Sequence, residues 1–307
     1  MTTDERNFRS TYYEKVGFKG VEEKKSLEIL LKEKPLDKVK LKQFCLRFTV
    51  PAIYRNLLWK ILLDVIPVYV DAHPFVMQQR EQQYKDLEHA LKVMRFIDSN
   101  TTKSAQYYAM WSLEYTNKIN YITQYENSFI AIAQCLIEMF AEQQSQMNNI
   151  DIYWLTKGFN TIVIQYYNDI PICIERMITL LEKEDAELYK CLEKLDAFKV
   201  LPFTNWYLCC FAGVINETSL AKIWDKLCAG SFKILVFVGV VLLTTLRRVL
   251  IRCTNAVAIL ECIEKITEET AEVIVNKAIE VWQQNGCALT LQSDQNVNTT
   301  SNIYKIK

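Results

Sequence analysis

Hydrophobic positions recur along most of this chain at intervals of three and four, the spacing of one helix face. In "KSLEILLKE", Leu27, Ile29, Leu30 and Leu31 predict a short helix broken by Pro35. "LDKVKLKQFCLRF" predicts a second, ending near Thr49. "PAIYRNLLWKILLDVIP" opens with Pro51 in its first turn and stops at Pro67, positions that proline tolerates. Its apolar residues Ile53, Leu57, Leu58, Ile61, Leu62 and Val65 make one wide stripe. "VMQQREQQYKDLEHALKVMRFID" is a long helix, polar in its first half and apolar on one face in its second. "SAQYYAMWSLEY" is the next, joined by the less regular "TNKINYITQYEN" to an apolar helix beginning at Phe129. "IDIYWLTKGFNTIVIQYYN", "PICIERMITLLEKED" and "AELYKCLEKL" follow in helical register.

Two later segments carry their own start and stop signals. In "NETSLAKIWDKL", Asn216, Thr218 and Ser219 are capping residue types, and Leu220, Ile223, Trp224 and Leu227 share one face. In "TEETAEVIVNKAIEVWQQNG", Thr267 caps, Glu268 and Glu269 suit the positive helix end, and Gly286 closes. Between them, Ile234 to Leu246 carries no charge. A membrane span needs about 20 apolar residues. This run is shorter and is flanked by Lys233, Arg247 and Arg248, so a helix buried in the protein's own core is expected.

Composition sharpens the fold class. Seven glycines and six prolines in 307 residues are few for a many-stranded fold, which spends both on turns. The chain is read as all-α, without a low-complexity linker. Residues 1–50 form an N-terminal helical segment packed on the domain, 51–286 the domain itself, and 287–307 a polar tail too poor in apolar residues to fold.

Charge and chemistry then exclude several functions. Lys+Arg and Asp+Glu are both 36, which argues against a nucleic-acid backbone as the main partner. The N-terminus "MTTDERNFRS" has no apolar h-region of a signal peptide, so the sequons at Asn100, Asn216 and Asn298 carry little weight. Ten cysteines include no Cys-x-x-Cys pair, and the histidines are His73 and His89. No metal site or cofactor is expected, and the thiols are read as reduced and mostly buried. "GFKG" from Gly17 is too short for a phosphate loop.

One set of residues resembles a known family. "YRNLLWKILL" is similar to the first signature of TBC (Rab-GAP-like) domains, at Arg55, Trp59, Leu62 and Leu63. "NWYLCCFAGVINETSLAKIWDKLCAG" resembles their second-lobe signature, at Trp206, Tyr207, Leu208, Phe211, Ala212, Ile223, Trp224, Asp225 and Gly230. The resemblance implies a single TBC domain of two helical lobes with a seam near 150–170. Arg55, Trp59, Trp206, Trp224 and Asp225 serve as structural signature positions, and the apolar helix after Gly230 is buried. "RNFRSTYYEKVGFKGVEEKKSLEILLKE" and "GSFKILVFVGV" narrow it to the branch that serves in the tuberous sclerosis complex. That branch implies binding to the hamartin coiled coil, and through it to tuberin, the GAP for Rheb that restrains TOR-kinase signalling. It also implies a cytoplasmic protein recruited to lysosomal or vesicle surfaces.

TBC domains accelerate GTP hydrolysis on Rab GTPases with an Arg from Ile-x-x-Asp-x-x-Arg and a Gln from Tyr-x-Gln-Gly. Both need fixed spacing, since one residue of slip turns a helical side chain by about 100°. In "HALKVMR", Arg95 is present, but His89 replaces Ile and Lys92 replaces the Asp that would orient it. In "INYITQYENSFIAIA", Tyr125 falls where the Gln belongs, Gln124 is one position early, and Glu126 stands after Tyr125 in place of glycine. Arg95 is expected to be a solvated helix residue and Gln124 a loop residue. A non-catalytic domain is expected; the alternative is a Rab GAP using a displaced Arg95 and Gln124. For the partner surface, "SAQYYAMWSLEYTNK" is apolar almost all round. With Tyr107 and Leu113 inward, Tyr108 and Trp111 are expected to be an exposed pair, the kind of anchor that dominates interfaces; the alternative is that the connection Thr116 to Asn127 covers them.

Overall fold

The structure is a computed structural model that describes residues 21–116, 123–141 and 149–285. The described residues build a succession of helices: α1 (Val21–Lys32), α2 (Lys38–Arg47), α3 (Ala52–Leu62), α4 (His73–Val93), α5 (Lys103–Thr116), α6 (Thr123–Met139), α7 (Asn149–Tyr166), α8 (Ile170–Glu184) and α9 (Ala186–Lys194). They continue through two short helices, α10 (Ala197–Val200) and α11 (Phe203–Leu208), then α12 (Glu217–Cys228), α13 (Ile234–Thr245), the one-turn α14 (Arg247–Leu250), α15 (Ala256–Glu264) and α16 (Glu268–Asn285). The fold is all-α, as the spacing predicts, with one isolated bridge between Ala212 and Ile215 among the described residues.

Local signals explain several boundaries. Asp37 caps α2 by accepting from the amides of Val39 and Lys40. Asn216 caps α12 through Ser219 N at 3.2 Å, and Thr267 Oγ1 accepts from Thr270 N at the start of α16. Each satisfies an amide that a helix N-terminus leaves without an intrahelical partner.

The charge-free segment forms α13. Ile234, Leu235, Val238, Leu242 and Leu243 have no exposed surface, because α16 packs along one side and α8 along another. The α8 contact is close: a Cβ on Gly239 would lie 2.4 Å from Met177 Sδ. Among the described residues no helix is long and apolar enough to cross a membrane.

The helix α3 is the organising element of the first half. Arg55 and Trp59, one turn apart, reach Asp225 on α12. Arg55 donates from Nε at 3.1 Å and from Nη2 at 3.2 Å, and Trp59 donates from Nε1 at 2.9 Å. The Val50 amide adds a 3.4 Å bond. Asp225 is fully buried. The indole of Trp59 packs on Phe159 and Trp224, ring centroids 5.2 and 6.3 Å away. Asn56 and Lys60, the next face of the same helix, donate to Asp151 on α7 at 3.2 and 3.1 Å. Beside Asp225, Lys226 sends a buried ammonium to the carbonyls of Cys45 and Phe48 at the end of α2, the latter at 2.6 Å.

Some expectations shift. The helix expected to run to Pro67 ends at Leu62, and Val65 is buried beyond it. Ile53 is exposed rather than part of the buried stripe, as is Ile29 on α1. α6 begins at Thr123, six residues before Phe129, so Gln124 lies in its first turn and not in a loop. The interval 150–170 is filled by α7 and the single 3-10 turn after it. Gly286 and the segments 1–20 and 287–307 lie outside the described residues.

Replacing Asp225 by Ala removes the acceptor shared by Arg55 and Trp59 and leaves a largely desolvated guanidinium without its partner. Breaking a buried pair from one side costs about 3–5 kcal/mol. Urea unfolding of Asp225→Ala is expected to show a loss of that order. A loss of the size typical of surface pairs, under about 1 kcal/mol, would contradict it.

Candidate functional site

The positions expected from the sequence to correspond to hydrolytic fingers lie at the end of α4 and the start of α6. α4 stops in a left-handed turn. Arg95 has φ +58°, its amide donates to Lys92 O at 3.0 Å, and Phe96 N donates to Leu91 O at 2.9 Å. This is the 6→1 and 5→2 pairing of a Schellman motif, with Arg95 at the left-handed position where glycine is usual. Arg95 is therefore solvated, as expected, but it sits just past the helix rather than within it. Its guanidinium makes no ion pair among the described residues. Lys92 is paired one turn back with Glu88 at 3.1 Å. Glu88 also accepts from Gln106 Nε2 at 2.6 Å, and these bonds help hold its carboxyl below the usual range although burial opposes them.

Tyr125, at the position expected for the Gln, is half-buried in the first turn of α6. Its ring meets Trp111 edge-on at 6.4 Å and Tyr167 at 5.7 Å, and burial pushes its phenol up. It is an aromatic wedge between α5 and the end of α7, with neighbours that pack rather than position water.

The expected exposed pair is not on the surface. Tyr108 and Trp111 are 2% and 3% exposed. Phe129 of α6 stacks on Trp111 at 5.3 Å and meets Tyr108 at 5.9 Å, and Tyr115 stacks on Trp111 from the other side at 5.1 Å. The physical reason is that α5 is clasped on two sides, by α4 and by α6, so it needs two apolar faces. Tyr107 points inward as expected, with no exposed surface, in a triangle with Tyr84 and Tyr153 at 6.2 and 5.8 Å. Of the expected cover from Thr116 to Asn127, residues 117–122 lie outside the described residues, and Tyr125 contributes.

Sequence reasoning missed three polar residues that hold the helices together. Lys226 reads as the polar face of α12 yet is 1% exposed. Asp151 is buried. Glu114 gathers Lys157 Nζ at 2.6 Å, Gln83 Nε2 at 3.0 Å and Tyr153 OH at 3.3 Å, joining α4, α5 and α7. No period marks such residues. The structural signature residues, by contrast, lie in the interior: Arg55 and Trp59 donate to Asp225, and Trp206 and Trp224 are core. Among the described residues no group of three or more His, Cys, Asp or Glu side chains could hold a metal ion.

By its similarity to known proteins, this all-helical chain is a single domain of the TBC, Rab-GAP-like class. The Rab-GTPase-TBC domain family model matches residues 113–251. The Ypt/Rab-GAP domain of Gyp1p superposes with a TM-score of 0.60 at 15% identity, covering 86% of this chain and 98% of that one. A Chlamydomonas flagellar RabGAP TBC domain gives 0.52 at 17% identity, covering 82% and 87%; both likenesses concern the fold alone. The TBC1 domain family member 7 proteins of Xenopus tropicalis and Homo sapiens are 41% and 40% identical over 295 and 292 residues. These alignments cover 94% and 93% of this chain and 98% and 97% of the relatives. The chain belongs to the TBC1 domain family member 7 family.

Truncating Trp111 opens a cavity against Phe129 and Tyr115. Trp111→Ala is expected to cost about 3–5 kcal/mol, read by thermal or urea unfolding. An effect within the roughly 0.5 kcal/mol range of a surface change would put the residue back at the surface.

Proposed function

We propose that this chain is a non-catalytic TBC subunit that binds the coiled coil of hamartin and, through it, joins tuberin in the tuberous sclerosis complex. There it supports the complex's GAP activity toward Rheb and the restraint of TOR-kinase growth signalling, in the cytoplasm and at lysosomal or vesicle surfaces. The observation behind this is near-full-length identity of about 40% to TBC1 domain family member 7 proteins. Support comes also from the finger positions. A charge-stabilising arginine works when it is held rigidly toward the transferring phosphoryl. Arg95 is on an exposed turn without an ion-pair partner among the described residues, and Lys92, in the place of an orienting Asp, is committed to Glu88. Tyr125 fills the other position with packing.

A surface for the partner is available on the same turn. Val93, Met94 and Phe96 are exposed around Arg95, and Phe75 is exposed at the opposite end of α4. Apolar side chains clustered at the end of a helix, with Phe75 at its other end, offer anchors to a coiled-coil partner, whose own seam supplies anchors every turn. This turn replaces Tyr108 and Trp111 as the interface.

Copurification with a hamartin coiled-coil fragment tests the reading, and failure to bind at micromolar concentration would sink it. Met94→Asp with Phe96→Asp is expected to weaken binding at least about tenfold, roughly 1.4 kcal/mol, with the melting temperature unchanged. A GTP-hydrolysis screen against a Rab panel is expected to show no acceleration. Acceleration above roughly 100-fold that disappears in Arg95→Ala would make the chain a Rab GAP instead, the reading that its fold class keeps open.

A further inference from the structure

Cysteine placement is uneven. Cys45, Cys135, Cys173, Cys209, Cys210 and Cys228 are buried. Cys253 and Cys262 are partly exposed, and their sulfurs lie 3.8 Å apart. Their approach is built into the corner between α14 and α15. Asn255 caps α15 by accepting from Ala258 N at 2.8 Å, which fixes how the chain enters the helix. Ile259 and Ile263 anchor α15 with no more than 2% exposure, so Cys262 is held on the outward side. Cys253 sits two residues before the cap, and its thiol also points to Val249 O at 3.5 Å. Cys191 on α9 lies close enough to act on Cys253 electrostatically.

We infer that Cys253 and Cys262 are an oxidation site, a dithiol that closes to an intramolecular disulfide when the chain meets a hydroperoxide. One thiol, as its thiolate, attacks the peroxide oxygen. The O–O bond breaks, an alcohol or water leaves, and a sulfenic acid remains. The second thiol displaces the sulfenic oxygen as water, and the S–S bond forms. Two thiols lose two electrons and two protons, and the hydroperoxide takes them. A disulfide bond is about 2.05 Å long, so the sulfurs must close by roughly 1.8 Å, within reach of side-chain rotation. The buried cysteines do not offer this. Cys209 and Cys210 adjoin in sequence but have at most 2% exposure, where oxidant does not reach.

Burial first, then the neighbouring Cys262 sulfur, pushes the Cys253 thiol up to about 11, which makes the pair a slow responder, since the thiolate is the reactive form. Closure would clip the turn at 251–255 to α15, a covalent link that the reduced chain lacks. The site is independent of partner binding on α4 and stands or falls separately from it.

The sequence makes the test direct. Trypsin cuts after Arg252 and Lys265, so Cys253 and Cys262 fall in one peptide and share it with no other cysteine. The full chain is treated with hydrogen peroxide, free thiols are capped with N-ethylmaleimide, and the denatured protein is digested without reductant. The expected product is the Cys253–Lys265 peptide lighter by two hydrogens and uncapped, returning to the dithiol mass with dithiothreitol. In Cys262→Ser this species must vanish, with Cys253 capped or carrying oxygen. Capping of both cysteines in the native chain after peroxide would overturn the inference. So would a link from Cys253 to the Cys191–Lys194 peptide or to a second chain. If the serine variant fails to fold, the peptide mass from the native chain decides alone.

Discussion

A single carboxylate without solvent holds this fold in register. Moving a charge out of water costs several kcal/mol unless the interior returns the lost bonds. Asp225 recovers them from Arg55, Trp59 and the Val50 amide, all from α3 and its approach. The two side-chain donors are four residues apart, so they meet one acceptor only at one rotation of α3. That rotation turns Asn56 and Lys60 toward Asp151. The same register sets Trp59 against Phe159 and Trp224. Lys226, next in chain to Asp225, faces the carbonyls that end α2. A slip of α3 by one residue would strand the buried acids Asp225 and Asp151, the cations Arg55 and Lys60 and the Trp59 indole at once.

Most of the helical architecture was legible because burial on one side writes a period of 3.6 into the sequence. The first half of α4 is polar because water covers it, and α13 is apolar all round because α8 and α16 cover it. Capping residues mark beginnings for a local reason, the unbonded amides, and Asn216 and Thr267 were readable without knowledge of the rest. The failures have physical causes too. The expectation that Tyr108 and Trp111 are exposed rests on a helix burying one stripe, whereas α5 has two neighbours and the alternative, a covered face, holds. Ile53 and Ile29 fit their stripes and are nonetheless exposed, since periodicity locates a face and not the extent of its cover. Lys226 is hidden from any polarity argument, because a long side chain can bury its stem and end on backbone carbonyls.

The candidate site was legible in another way, by comparison of spacing with a family pattern, and this separates two kinds of constraint. Arg55, Trp59 and Asp225 must remain together because each alone is costly when buried. Arg95, Lys92 and Tyr125 are free of such coupling. Each meets its own local demand: a left-handed helix stop, a one-turn ion pair, a wedge between helices. On the proposed reading, the TBC fold is kept while these positions take up other work, since the buried Asp225 network does not run through them.

On the proposed reading, the end of α4 favours binding over chemistry. The Schellman turn ends the helix at Met94 and leaves Arg95, in the left-handed conformation, exposed and without an ion pair among the described residues. The same turn brings Val93, Met94 and Phe96 to the surface within one bend of backbone. Catalysis by an arginine depends on immobility at a single atom, whereas adhesion to a helical partner depends on apolar area and tolerates imprecision. On the proposed reading, the helix terminus that a hydrolytic domain would use to aim a charge serves here to expose apolar area, with the Asp225 network left to maintain the shape behind it.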